Sequence, residues 1–320
     1  MADRPSWERE GRDWPNRETS RFVTAAGLRW HVQVAGPRHG DAPDLLLLHG
    51  TAAATHSWRD LLPLLAAHFR VIAPDLPGHG FTDLPSQARL ALPGMAGGVA
   101  ALLQALGAKP VLAVGHSAGA AVALRLALDG RIAPHSVVSL NGALLPFAEK
   151  HAVFFTRAAR MLVGLPFVPS LFAWRASNRA VAERLLQDTG SRIEPRGVEL
   201  YTRLFRHSSH VAAALGMMAN WELVPLLHDL PRLKPRLILV VGSRDRAVPP
   251  QQAERVRARL PAARIVTMPG LGHLAHEEQP KETAELILRI HADSLRMDAE
   301  TQQNEIGSPS VSDLPYSRTA

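Results

Sequence analysis

One stretch of this 320-residue chain, Val111 to Leu128, constrains its fold more than any other: the apolar run VLAV ends in Gly115-His116-Ser117-Ala118-Gly119, and the small-residue run AAVALRLAL follows at once. A short continuous apolar run reads as a strand buried on both faces, and the Ala- and Leu-rich run after it reads as a helix. Only a tight turn fits between them, so Ser117 sits on a sharp strand-to-helix reversal, with glycine at the flanking positions where a side chain would strike the backbone. A G-x-S-x-G match arises by chance in about one chain in ten of this length. Its strand, turn and helix setting makes it informative here.

The same alternation runs through most of the chain. Arg21–Ala25 and Leu28–Val34 form an opening hairpin around Gly27, and Asp44–His49, Arg70–Pro74, Val111–Gly115, Ser136–Leu140, Arg236–Val241 and Arg264–Met268 read as further strands. Helical stretches at Trp58–His68, Met95–Leu106, Ala118–Leu128, Pro250–Leu260 and Lys281–Ala292 separate or follow them. This is the α/β pattern of a mostly parallel eight-stranded sheet with helices on both faces. From Ala143 to Leu230 no strand-like run occurs. Helical patterns at Phe154–Leu162, Ala180–Gln187, Val198–Phe205 and Val211–Ala219 read as a cap inserted between two strands. The expected organisation is a flexible segment over residues 1–20, a core over 21–142 and 231–293, a helical cap over 143–230, and a disordered polar tail over 294–320.

Composition narrows the chemistry. The chain has no cysteine, which excludes disulfides, thiolate metal sites and a cysteine nucleophile. Residues 1–20 mix both charge signs without an apolar core, unlike a secretory signal. The longest charge-free apolar run, Met161–Trp174, is fourteen residues with two prolines, where a membrane span needs about 20. A cytoplasmic protein without a transmembrane segment is expected. Fifteen histidines raise the question of a metal, but the pairs His207/His210 and His273/His276 lack a carboxylate at ligand spacing. No G-x-x-x-x-G-K-[ST] loop occurs, and the basic residues do not interleave with stacking aromatics, so neither a cofactor nor a nucleic-acid partner is expected. The net charge of +7 is concentrated: between Lys150 and His210, ten lysines and arginines stand against four acids. Such a cap attracts anions, and peripheral contact with a membrane surface is a further use for it. The cap's Phe154, Phe155, Met161, Phe167, Phe172, Trp174, Met217, Met218 and Trp221 belong mostly to its core, with some roofing the serine.

A serine hydroxyl attacks only when a base takes its proton and an acid orients that base. In a strand-turn-helix serine fold the partners follow in the order serine, acid, histidine, on loops at the carboxyl ends of later strands. After RLILVV comes Ser243-Arg244-Asp245-Arg246, and after RIVTM comes Pro269-Gly270-Leu271-Gly272-His273. Asp245 and His273 are therefore the candidate acid and base. Asp75 is a rival acid, although it lies upstream of the serine and is placed to brace the Pro77-Gly78-His79-Gly80 turn. The oxyanion needs two backbone N–H donors: Ala118, directly after the nucleophile, and Thr51, with Ala52 as the alternative, in the loop after DLLLLH. His49, His116, Trp58, Asn141 and Trp221 are the candidates for substrate contact.

The motifs HG at 49–50, DLPGHG at 75–80, GHSAG at 115–119, SRDRAVP at 243–249 and GLGHLAHEEQP at 270–280 resemble the α/β-hydrolase fold family from Arg21 to about Ala292. The resemblance implies Ser117 as nucleophile, Asp245 as orienter and His273 as general base. Position 141 is where some relatives keep the acid; here it is Asn141, which favours Asp245. Within the family, WRDLLPLLA (58–66), SLNGALLPF (139–147), GVELYTRL (197–204) and MMANWEL (217–223) look like the magnesium-chelatase accessory subfamily of bacteriochlorophyll biosynthesis. That implies a tetrapyrrole as small-molecule substrate or ligand and magnesium chelatase as partner. Two functions remain open at this point: a serine hydrolase acting on an ester or similar acyl bond, and a non-hydrolytic tetrapyrrole-binding accessory.

Overall fold

Strands β3 (Asp44–Leu48), β4 (Arg70–Pro74) and β6 (Ser136–Leu140) have every residue buried, and burial on both faces requires a sheet covered from two sides. The computed structural model, which describes residues 3–146 and 167–307, shows that arrangement. Its eight strands also include β1 (Ser20–Ala25), β2 (Leu28–Ala35), β5 (Pro110–His116), β7 (Arg236–Gly242) and β8 (Arg264–Met268), in the order β1-β2-β4-β3-β5-β6-β7-β8. The β1/β2 and β2/β4 pairs are antiparallel and all others parallel. One face packs the larger apolar cluster, including Trp30, Leu46, Leu48 and Val122, against helices α3 (Leu92–Ala105) and α4 (Ala118–Leu128). The other packs Leu45, Leu47, Trp58 and Ile287 against α2 (Leu62–Ala66) and the long C-terminal helix. The alternation of Leu45 to Leu48 between the two clusters is the strand's period of two.

Between β6 and β7 stand cap helices α5 (Phe167–Ala176), α6 (Arg179–Asp188), α7 (Pro195–Phe205) and α8 (Ser208–Ala219), followed by α9 (Val224–Asp229). Helix α5 was missed in the sequence because Pro169 interrupts its pattern; proline is tolerated in a first turn, where its missing N–H has no partner to lose. The expected helix at Phe154–Leu162 lies outside the described residues. Helices α10 (Gln251–Arg257), α11 (Ala275–Glu278) and α12 (Pro280–Gly307) complete the core. No helix among the described residues is long and apolar enough to cross a membrane.

Both chain ends depart from expectation. Instead of being flexible, the N-terminal segment is packed from residue 3, with helix α1 at Trp7–Glu10. Trp14 is 2% exposed, donates from Nε1 to Thr55 Oγ1 at 3.0 Å, and packs its ring on His56 and Phe81. Asp13 pairs with Arg196 and Arg203 of α7 at 2.6 Å each, and the Ser209 N–H donates to the Asp3 carbonyl. A buried tryptophan outweighs the segment's high charge, and that charge is paired across the chain. Trp14→Ala is expected to destabilise the fold by about 3–5 kcal/mol in urea unfolding; an unchanged midpoint would mean that the segment is free. At the other end the tail is helical to Gly307 rather than disordered from residue 294. Ser294 meets Ser136 at 2.8 Å and Asp298 pairs with Arg236 at 2.6 Å, anchoring polar residues that carry no apolar pattern.

Candidate functional site

Parallel pairing brings the carboxyl ends of five strands to one rim. Leu48 lies opposite Gly115, Gly115 opposite Ser139, Leu140 opposite Val240, and Gly242 opposite Met268, so the loops after β3, β5, β6, β7 and β8 open side by side. Ser117 forms the β5-to-α4 reversal with φ 51° and ψ −118°, a left-handed conformation that costs a non-glycine residue about 1–3 kcal/mol. Its neighbours explain the glycines. A Cβ on Gly115 would lie 2.4 Å from the Gly119 carbonyl oxygen, and one on Gly119 would lie 2.2 Å from that of Leu48. The strain is held by the Ser117 N–H donating to Leu140 O at 3.0 Å and by Ala120 and Ala143 donating to Ser117 O.

His273 Nδ1 lies 2.8 Å from Asp245 Oδ2, and Asp245 Oδ1 accepts from the N–H groups of Ala247 and Val248 at 2.8 Å each. With Nδ1 carrying the proton toward Asp245, Nε2 is left as the acceptor. Asp245 is 5% exposed, so the pair is screened little by water. Ser117 Oγ and His273 Nε2 make no hydrogen bond to each other, although their loops open on the same rim. Near the serine, Gly50 runs so close that a Cβ there would sit 2.9 Å from Ser117 Cβ. Thr51 and Ala52 follow it, and Ala52 has φ 63°. Ala118 is the first residue of α4, so its N–H has no acceptor within the helix.

Of the residues expected to touch substrate, four are turned inward. His49 is buried and saturated, donating from Nδ1 to Gly50 O at 2.8 Å and accepting from Leu76 N–H at Nε2. Trp58 lies in the core at 0% exposure, against the His276 ring. His116 is 3% exposed and donates from Nε2 to the His273 carbonyl at 2.9 Å. Asn141, at φ 46°, donates from Nδ2 to the carbonyls of Gly272 and His273 at 3.0 and 2.7 Å, and accepts at Oδ1 from Gly242 N–H at 2.7 Å. Each of the three polar ones has internal hydrogen-bond partners, and Asn141 and His116 serve the neighbouring loops. Trp221 is half-buried against the core. The rival acid Asp75 accepts from Thr55 and Phe81 N–H groups and pairs with His31 at 2.7 Å, bracing its own turn.

Sequence reasoning missed the buried network that joins cap to core. Glu277 pairs with Arg59 and accepts from Ser57 Oγ at 2.6 Å and from Tyr201 of α7 at 2.8 Å; Ser57 Oγ also meets His276 Nε2 at 2.9 Å. Likewise His210 of α8 donates to Ala52 O and accepts from Gly80 N–H, both at 3.1 Å, tying the Gly50–Ala52 loop to the cap. The sequence motifs contain Arg59, Tyr201, His276 and Glu277 without pairing them, because such side chains become partners only through the fold. A cleft of about 1030 Å³ between the α6–α7 connection and the loop after β7 is lined by Arg192, Arg244 and Arg246 together with Glu183 and Asp188.

A profile described as "Alpha/beta hydrolase family" matches residues 45–286. The chain is 40% identical over 276 residues to the "Magnesium-chelatase 30 kDa subunit" of Rhodobacter capsulatus, covering 86% of this chain and 95% of that one. It is 28% identical to the "Pimeloyl-[acyl-carrier protein] methyl ester esterase" of Aeromonas hydrophila, covering 80% and 98%. Among solved structures, an epoxide hydrolase from Vigna radiata superposes with a TM-score of 0.70 at 20% identity, covering 86% of this chain and 98% of that one.

Proposed function

The chain belongs to the alpha/beta hydrolase family, and from that premise we propose that it is a cytoplasmic serine hydrolase cleaving an ester or related acyl bond as an accessory to magnesium chelatase in bacteriochlorophyll biosynthesis. The observation that carries the reading is the left-handed Ser117 at the sheet rim, with the His273–Asp245 pair on the adjoining loops. In this reading His273 Nε2 takes the Ser117 proton as Oγ attacks the acyl carbonyl. The N–H groups of Ala118 and Thr51 receive the developing oxyanion. The same imidazolium then protonates the leaving oxygen, and an acyl-serine remains. Water repeats the sequence in reverse order, with His273 as base, releasing the acid and the free serine. Asp245 stays ionised throughout and offsets the imidazolium charge. No metal or cofactor enters any step.

The test is capture of Ser117 by a fluorophosphonate probe, located by peptide mass spectrometry, together with hydrolysis of p-nitrophenyl esters. Absence of both overturns the hydrolase reading. Asn141 is a positioning residue in this scheme: Asn141→Ala frees the His273 and Gly272 carbonyls from the loop after β6. It is expected to lower kcat by about 10- to 100-fold with KM nearly unchanged, and Asn141→Asp should not restore it because a carboxylate cannot donate. An equal loss in kcat and the folded fraction would mean a purely structural role.

A second reading, a tetrapyrrole-binding accessory without turnover, is favoured by the 40% identity to a chelatase subunit over 86% of this chain. The exposed arginines lining the cleft suit the carboxylates of such a ligand. Quenching of magnesium-protoporphyrin fluorescence by Ser117→Ala protein that has lost all esterase activity, with full chelatase support retained, would select it.

A further inference from the structure

Helix α5 turns its large residues the wrong way for a helix that only packs on its neighbours. Its buried positions are Val168, Pro169 and Ala173, whereas Phe167, Leu171, Phe172 and Trp174 are 63%, 55%, 54% and 72% exposed. Phe167, Leu171 and Trp174 recur at i, i+4 and i+7, so they form one stripe along the helix, facing water. Monomeric soluble proteins rarely leave such a stripe open. Met218 of α8, against which α5 packs, is also 57% exposed.

Charge indicates what covers the stripe. From Phe167 to Ala182 the sequence holds no Asp or Glu, while Arg175 and Arg179 stand exposed at the end of the helix and just beyond it. Among the described residues neither has an ion pair; Arg179 donates only to the Pro195 carbonyl, at 3.4 Å. An apolar stripe of tryptophan, phenylalanine and leucine, flanked by unpaired arginines and free of acids, is the composition of a helix lying in the headgroup layer of a bilayer. There the rings reach the acyl boundary and the guanidinium groups meet lipid phosphates. Among the described residues nothing covers this stripe, and its only charged neighbours along the helix are basic. We infer that α5 docks the protein on an anionic membrane surface, with Leu171 and Trp174 inserted and Arg175 and Arg179 on the phosphates. At ten residues the helix gives shallow, reversible binding that salt weakens.

The experiment is co-sedimentation of the full chain with vesicles of phosphatidylcholine containing phosphatidylglycerol, against vesicles of phosphatidylcholine alone. Wild-type protein is expected to pellet with the anionic vesicles, with a blue shift of tryptophan emission that Trp174→Leu reduces. Leu171→Glu/Trp174→Glu should lower vesicle affinity at least about tenfold, and Arg175→Ala and Arg179→Ala about fivefold each. All these positions are exposed, so thermal melting reports that the variants stay folded. No pelleting with anionic vesicles overturns the inference, as does a Leu171→Glu/Trp174→Glu variant that pellets like wild type. Loss of a dimer in that variant, without any vesicle binding by wild type, would assign the stripe to a second copy of the chain and equally overturn it.

Discussion

Ser117→Ala is expected to lower ester turnover by on the order of 10⁴- to 10⁶-fold, the cost of deleting the nucleophile from a serine–histidine–acid unit. The fold should tolerate it, because the substitution removes one oxygen and leaves the backbone strain and the Leu140, Ala120 and Ala143 hydrogen bonds in place. His273→Ala should cost nearly as much, and the double variant scarcely more than either alone, since the two side chains act in one step. Additive losses would show that they do not work together. A loss smaller than about tenfold would remove Ser117 from the chemistry and leave the binding reading in its place. Measured beside tetrapyrrole binding, the variant therefore separates the two readings at a single residue.

Acidification is expected to unfold the protein over a narrow range. Six histidines, His49, His56, His79, His116, His210 and His276, are at most 3% exposed, and burial lowers the pKa of each below its ordinary value, to about 4 for His210 and about 3 for His276. For His276 the Arg59 guanidinium adds to the effect, and for His116 the neighbouring His276 ring does. Above pH about 6.5 all six are neutral in both folded and unfolded chains, and their full stability is present. Below it the unfolded chain binds protons that the folded one refuses, so stability falls with pH until the folded values are reached. Each group then costs about 1.4 kcal/mol per pH unit. Several such groups acting together are enough to offset much of a typical net stability of about 5–15 kcal/mol.

Circular dichroism should therefore show cooperative loss of structure between about pH 6 and 5, whereas a urea midpoint that stays flat from neutrality to pH 5 would refute buried neutral histidines. Asp75, whose pKa burial alone would raise but which the adjacent His31 ring holds well below the ordinary carboxylate range, adds its loss only at still lower pH. His56 offers an internal check. Neither ring nitrogen has a hydrogen-bond partner, and the ring packs between Trp14 and Tyr201. His56→Phe should raise stability at neutral pH by about 1–3 kcal/mol and flatten the acid slope by one proton.

The legible parts of the sequence were those in which a local pattern carries the physics. Four consecutive leucines at 45–48, bounded by polar residues, read as a two-sided buried strand, and Gly115 and Gly119 mark a place where helix and sheet backbones nearly touch. The mostly parallel pairing and the placement of Asp245 and His273 on loops after β7 and β8 followed, because parallel strands with helical crossovers send every carboxyl-end loop to the same rim; the order of the strands came only from the fold. Only the tertiary structure decided the roles of His49, His116 and Asn141, the anchoring of Trp14 and Asp298, and the Arg59–Glu277–Tyr201 link between cap and core. Each of these depends on a hydrogen-bond or packing partner many residues away. Secondary structure and its topology are written in periodicity along the chain, whereas the purpose of a buried polar side chain is defined by whichever distant group the fold places within about 3 Å of it.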